Sequence, residues 1–227
     1  MTLEKRSIET PAEAQVLPPD TTGKYGAVSV FETKNLPERW PDTLNKAPVH
    51  FHKVSLDQAE RLQAAMEKSG VYPPGDAANR LQAGREAFVG EVEGPGGMTM
   101  VTYGWVALTA EPLGNTGCSF DPPPGDAYLY DFATVPEYRG KGFYPALLRY
   151  LVSDLAKRGI RRAWIGTAPG NFVSQRSIER AGFTKVAESR YISARNGQPA
   201  YFELREDDRF DRELREIASR AHISNGG

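Results

Sequence analysis

Between Pro136 and Tyr144 the chain reads Pro-Glu-Tyr-Arg-Gly-Lys-Gly-Phe-Tyr, the segment with the strongest chemical character. Gly140 and Gly142 let the backbone turn tightly and bring several N–H groups towards one anion. Leucines at 147, 148 and 151 open a helical pattern directly afterwards. The unpaired N–H groups and positive dipole end of that helix therefore fall at the same place. Together these features make a phosphate cradle, to which Arg139 and Lys141 add charge suited to a pyrophosphate. Glycines between a strand and a helix can also simply make a turn. The segment matches neither common nucleotide fingerprint, because no third glycine completes G-x-G-x-x-G and no Gly-Lys-Ser/Thr follows. Arg158, Arg161 and Arg162 are either further phosphate ligands or a solvated helix end.

The elements that must position this loop follow from the periodicity. Ala127–Val135 reads as the strand before it and residues 143–158 as the helix after it. A strand at Ala163–Thr167 and a helix over 172–181 come next, then a hairpin, Thr184–Ala194 and Ala200–Arg205, turning at Asn196-Gly197. Upstream, Val49–Val54 is a strand, and Ser55-x-x-Gln58 is a capping box opening a helix to Ser69. Asp76–Ala83 is a short helix. Ala87–Glu93 and Met98–Leu108 pair around Gly94-Pro95-Gly96-Gly97. A loop rich in proline and glycine covers 111–125. The order mixes antiparallel hairpins with two β–α crossovers, so the expected class is α/β with a mixed, mostly antiparallel sheet flanked by helices. Residues 1–47 carry prolines at 11, 18, 19, 37 and 41 and one plausible strand, Ala27–Thr33. They read as a partly extended arm over the surface of a domain spanning 48–207. Asp208–Ala221 reads as a final amphipathic helix in the tail 208–227.

Composition narrows the function. At 227 residues the chain fits one substantial domain with extra length. A net charge of −1 argues against a nucleic-acid protein. The longest apolar run, around Met98–Ala110, is too short to cross a bilayer, and the first residues carry no apolar leader. One cysteine, Cys118, forms no internal disulfide, so the expected compartment is cytoplasmic.

Two blocks at their separation resemble one family. Arg139-Gly140-Lys141-Gly142-Phe143-Tyr144 and, downstream, Asn171-Phe172-Val173-Ser174 with Glu179-Arg180-Ala181-Gly182-Phe183 make residues 128–186 similar to the core of the GNAT N-acyltransferase superfamily. The resemblance implies acetyl-CoA, or another acyl-CoA, as co-substrate and an amine as acceptor, with no metal. It implies that the amides of 139–144 bind the pyrophosphate and that Phe132, Ala133 and Thr134 pair through their backbone with the pantetheine arm. It also implies that this strand and the next splay at a bulge, where a main-chain N–H polarises the thioester carbonyl. Asn171 would contact pantetheine, and it serves equally well as an N-cap.

The catalytic positions depart from the family pattern. A tyrosine that protonates the leaving thiolate is replaced by Ile178, and glutamate bases found on two strands are replaced by Gly166 and Tyr128. The cradle's last position, usually small, is Tyr144. Remaining candidates are Asp131, Tyr128 and Ser174. Asp131 is a carboxylate in an apolar run, either a base for an ammonium or the partner of an arginine. Tyr128 shares a face with Tyr130, and the two are proton donors or core aromatics. Ser174, with Ser177, is a possible proton relay. His50 and His52 share a strand face but lack a third metal ligand. Tyr72, Trp105, Tyr191 and Tyr201 are candidates to line the acceptor site. The expected function is direct acyl transfer to a primary amine. The alternative is a non-catalytic acyl-CoA-binding or regulatory module, and the arm and tail are candidates for a homodimer contact.

Overall fold

The computed structural model describes residues 26–40, 48–70, 75–94, 96–113, 119–192 and 201–206, with 190–192 and 201–206 described for their backbone only. The elements in chain order are β1 (Gly26–Glu32), β2 (His50–Lys53), α1 (Ala59–Ser69), α2 (Asp76–Gln82), β3 (Glu86–Gly94) and β4 (Gly97–Ala107). There follow β5 (Glu111–Pro112), β6 (Ser119–Phe120), β7 (Asp126–Thr134), α3 (Phe143–Lys157) and β8 (Arg162–Thr167). The last are α4 (Phe172–Arg180), β9 (Thr184–Ile192) and β10 (Tyr201–Glu206). Strand and helix boundaries fall within a residue or two of the periodicity, and Ser55 N–H donates to Gln58 Oε1 at 3.1 Å as the capping box requires.

Eight strands form one sheet in the order β10-β9-β1-β8-β7-β4-β3-β2. Every neighbouring pair is antiparallel except β7 and β8, which run parallel. β5 and β6 make a small separate ladder inside the loop expected at 111–125.

One expectation is corrected. Gly26–Glu32 does not lie over the surface. It is an interior strand, antiparallel to both β8 and β9. β8, α4 and β9 form a parallel crossover that leaves a gap one strand wide, and β1 fills it. Gly26–Phe31 is buried without interruption, as a strand covered on both faces must be. Trp40 then packs on Phe31, with ring centroids 5.8 Å apart, and its indole N–H reaches Ser153 Oγ at 3.3 Å. Residues 1–25 and 41–47, Tyr72, Cys118, the turn at 196–197 and the tail 208–227 lie outside the described residues, as do the side chains of Tyr191 and Tyr201.

Period-two alternation along β7 divides the core. Tyr128 and Tyr130 join Trp105, Leu62, Met66 and Ala77 on the α1/α2 face. Ala127 and Leu129 join Leu147, Leu148, Leu151 and Leu155 of α3 on the other. α3 presents Phe143, Leu147, Leu148, Leu151, Val152 and Leu155, all buried, as one apolar stripe. Seating that stripe fixes where the helix begins, and so where the loop before it sits.

Candidate active site

β7 ends in a 3-10 turn, Pro136–Tyr138, and the chain reaches α3 through Arg139-Gly140-Lys141-Gly142. Gly140 and Gly142 both take the left-handed conformation, with φ of 77° and 81°. Side-chain-bearing residues pay steric strain there, so the two glycines set the loop's shape. The N–H groups of Gly140, Lys141, Gly142, Phe143 and Tyr144 donate to no backbone carbonyl among the described residues. Pro145 has none to donate, and the first helical bond is Ala146 N–H to Gly142 O at 3.2 Å. Five consecutive amides are thus left free at the positive end of a fifteen-residue helix.

The cationic side chains of the loop have other partners. Arg139 Nε donates to Thr134 O at 3.0 Å and its Nη2 to Ser69 O at 3.3 Å, tying the loop to the ends of β7 and α1. The Lys141 ammonium lies 4.9 Å from the Tyr138 ring centre. Arg158, Arg161 and Arg162 sit at the opposite end of the sheet. There Arg158 pairs with Glu86, while Arg161 and Arg162 pair with Asp126 at the start of β7. None of the three lies beside the 139–144 loop.

Beside the loop, β7 and β8 part. Their ladder ends at Leu129↔Ile165, although β7 continues to Thr134. On its other edge β7 stays paired with β4 through Thr102↔Thr134 and Tyr103↔Ala133. Between Tyr103↔Ala133 and Trp105↔Tyr130, Asp131 and Phe132 oppose Gly104 alone, which is a β-bulge. Asp131 carries φ of 49° there, the single non-glycine residue with positive φ among those described. The Phe132 ring lies over Gly104, where an added Cβ would come within 2.1 Å of it. The bulge shifts the alternation by one, so Phe132 packs with the α3 face and Ala133 with the α1/α2 face. Residues 130–134 therefore present an unpaired backbone edge towards β8. Opposite them, a Cβ at Gly166 would meet nothing within 4 Å, so that side of the slot is open.

Asn171 caps α4, its Oδ1 accepting from Ser174 N–H at 3.1 Å, so the N-cap role is realised. Ser174 Oγ donates to Tyr144 Oη at 3.1 Å, and the Tyr144 ring stacks on Phe132 with centroids 5.5 Å apart. Burial pushes the Tyr144 phenol up to about 12 against the opposing effect of the Ser174 hydrogen bond, so it is protonated at neutral pH. Phe132, Tyr144, Ser174 and Asn171 thus form one connected wall. From the sequence, Tyr144 is expected only as a backbone donor. Its side-chain partner is thirty residues away, and no local pattern reveals it.

The other candidates lie elsewhere. Asp131 Oδ2 accepts from Arg80 Nη1 at 2.7 Å, and Arg80 also pairs with Asp76 and covers the Trp105 ring at 5.1 Å. The arginine-partner reading of Asp131 is realised, and its carboxylate remains partly exposed at the bulge. Tyr128 is buried between Phe120 and Tyr130, at centroid distances of 4.3 and 5.6 Å. Burial, then the charges of Asp131 and Glu111, push its phenol up. Trp105 is fully buried. Ile178 is buried against α3, and Ser177 Oγ donates to Val173 O. His52 Nε2 lies 3.1 Å from Glu91 Oε2, and Arg61 also holds Glu91. No group of three metal-ligating side chains occurs among the described residues.

With this geometry in place, comparison with known proteins gives the class. The Acetyltransferase (GNAT) family profile matches residues 66–183, just over half of the chain, and the protein belongs to that family. The [Ribosomal protein bS18]-alanine N-acetyltransferase of Escherichia coli (strain K12) is 31% identical over 61 residues, which are 27% of this chain and 41% of that relative. The chain thus spans well under half the length of the curated relative it matches. Two solved structures share the fold at low identity. An acetyltransferase of the GNAT family from Colwellia psychrerythraea superposes with a TM-score of 0.53 at 15% identity, over 71% of this chain and 53% of that one. A GCN5-related N-acetyltransferase from Sphaerobacter thermophilus gives 0.52 at 14% identity, over 81% and 51%. No helix among the described residues is long and apolar enough to cross a membrane.

Proposed function

We propose that this protein is an acyl-CoA-dependent N-acyltransferase that passes an acetyl group from acetyl-CoA directly to a primary amine of a small molecule or peptide in a ternary complex. The observation that carries the reading is the run of five free amides at 140–144, shaped by two left-handed glycines, beside the unpaired edge of β7. A pyrophosphate needs convergent donors, and a pantetheine amide chain needs a strand edge. Both are offered side by side.

Acetyl-CoA supplies an activated thioester. The amides of Gly140–Tyr144 hold its pyrophosphate, and the edge at Phe132–Thr134 pairs with the pantetheine. The bulge leaves a main-chain N–H free to polarise the acyl carbonyl. The amine attacks that carbonyl, the C–S bond breaks, the amine loses a proton and the thiolate gains one. Asp131, at the bulge, attracts the incoming ammonium. It is already paired with Arg80, so solvent takes the proton once the amine is held in place. The Tyr144 phenol, bonded to Ser174, is the donor to the thiolate. Tyr128 supports the slot from within the core.

A second reading, an acyl-CoA-binding module without turnover, is favoured by Ile178 in the core and by the absence of a side chain at Gly166. Calorimetry with acetyl-CoA, followed by thiol release over small amines, amino acids and peptides with a free N-terminal alanine, separates the two. Binding with turnover supports the transferase. Binding without release across the panel supports the module. No binding at millimolar acetyl-CoA refutes both.

A further inference from the structure

Arg80 is held in place from two sides. Its Nε lies 2.8 Å from Asp76 Oδ2, one turn back on α2, and its guanidinium covers the Trp105 ring at 5.1 Å from the centre. From that seat its Nη1 reaches Asp131 Oδ2 at 2.7 Å, crossing from α2 to the bulge of β7. The Asp131 side chain is 39% exposed and that of Arg80 19%, so the pair opens to solvent beside the segment of β7 that has parted from β8. An ion pair this open contributes little to stability, and exchanging one of its partners for a ligand costs little. Asp131 also holds φ of 49°, a conformation costly for a residue with a side chain, and such strain concentrates where ligands bind.

The functional reading above brings an ammonium to Asp131. On a plain amine that ammonium lies close to the Arg80 guanidinium, and the two like charges repel. A carboxylate on the same acceptor turns the repulsion into attraction. Resting on that reading, we infer that the Arg80–Asp131 pair receives a free α-amino acid and that Arg80 sets this specificity. The acceptor's ammonium takes Asp131 and its carboxylate takes Arg80, so one ion pair within the protein becomes two with the ligand. Arg80 need not move, since Asp76 holds its Nε and Trp105 its face. Because Nη1 and Oδ2 are in contact, the ligand's opposite charges must be equally close, which the single carbon between them in an α-amino acid provides. An amide, a peptide N-terminus or a decarboxylated amine brings the ammonium without the second charge.

The test measures thiol release at saturating acetyl-CoA over the free L-α-amino acids. The best of them is then compared with its amide, its decarboxylated amine and a dipeptide that begins with it, in wild type, Arg80→Gln and Arg80→Lys. Melting curves and acetyl-CoA calorimetry check that each variant is folded with its co-substrate site intact. Wild type is expected to favour the free acid about 10- to 100-fold in kcat/KM over the other three. Arg80→Gln is expected to lose that preference through a raised KM for the free acid alone, with the other three within about threefold of wild type. Arg80→Lys keeps the charge and is expected to restore part of the preference. A wild type that favours the amide, the dipeptide or the amine overturns the inference. So does an Arg80→Gln loss that is equal for all four acceptors, which marks a purely structural arginine, or an Arg80→Lys variant with no preference left. A wild type that binds acetyl-CoA and releases no thiol with any acceptor overturns the transferase reading and this inference with it, a result distinct from the others.

Discussion

Replacing Gly140 by aspartate tests the cradle most directly, because the site separates charge from fold. Gly140 sits at φ of 77°, and a Cβ built there meets nothing within 4 Å. A side chain therefore fits sterically and pays only the left-handed backbone strain, about 1 kcal/mol and less for Asp or Asn than for other residues. Gly140→Asn pays the same strain with no charge and is the control. An aspartate carboxylate about 6 Å from a bound pyrophosphate interacts at roughly 3 kcal/mol per unit charge for an effective dielectric constant of about 20. Physiological salt roughly halves that at this distance. Acetyl-CoA affinity should therefore fall about 10- to 100-fold in Gly140→Asp relative to Gly140→Asn. The gap should narrow in about 1 M salt. Calorimetry at two salt concentrations, with melting temperatures to show that the variants are equally folded, is the assay. Aspartate and asparagine variants binding within threefold of each other would refute the cradle at 139–144.

Gly104→Ala drives a methyl into the Phe132 ring and should cost about 1–3 kcal/mol, a loss of several degrees in Tm, while weakening acetyl-CoA because Phe132 carries the open edge. Unchanged Tm would show that the bulge repacks freely. Tyr144→Phe should lower kcat for thiol release about 10- to 100-fold with KM for acetyl-CoA nearly constant. An unchanged kcat removes the phenol from the reaction. Asp131→Asn keeps a residue that tolerates positive φ and should change stability by less than about 1 kcal/mol, yet raise KM for the amine. An unchanged amine KM, measured on initial rates, removes Asp131 from acceptor binding. Burial raises the Glu86 carboxyl, but hydrogen bonds from Lys53 and Arg158 outweigh it and hold the group below its usual range. Its stabilisation is then present at neutral pH and lost as pH falls through the carboxylate range. Glu86→Gln should thus be less stable by about 1 kcal/mol at pH 7, with the difference vanishing only as pH falls well below the ordinary carboxylate range in denaturant titrations.

The elements were legible because each has a local cause. The α3 stripe from Phe143 to Leu155, the box at Ser55 and Gln58, and the alternation of Ala127–Thr134 are patterns within one segment. The tight glycine turn was legible for the same reason: Gly140, Gly142 and the start of α3 are contiguous. β1 was visible as a strand but misplaced as a surface arm. A strand's partners are chosen by hydrogen-bonding edges far away in the chain, here β8 and β9. Asp131 stood out as a lone carboxylate in an apolar strand, but its partner Arg80 comes from α2, fifty-one residues earlier. Arg158 and Arg162 drew attention by charge alone. Their partners Glu86 and Asp126 are fixed by sheet order, which no run of like charges encodes.

By itself, then, the chain's sequence determines its secondary structure and the glycine loop before α3, since backbone freedom at glycine and helical periodicity act over a few residues. Only the tertiary structure decides that β7 bulges at Asp131, parts from β8 and leaves an edge unpaired beside that loop. It alone joins Tyr144 to Ser174 and Arg80 to Asp131. The physical reason is range. Strain at one residue, a hydrogen bond between two helices and an ion pair between a helix and a strand all depend on what packs against them, and those neighbours come from across the chain.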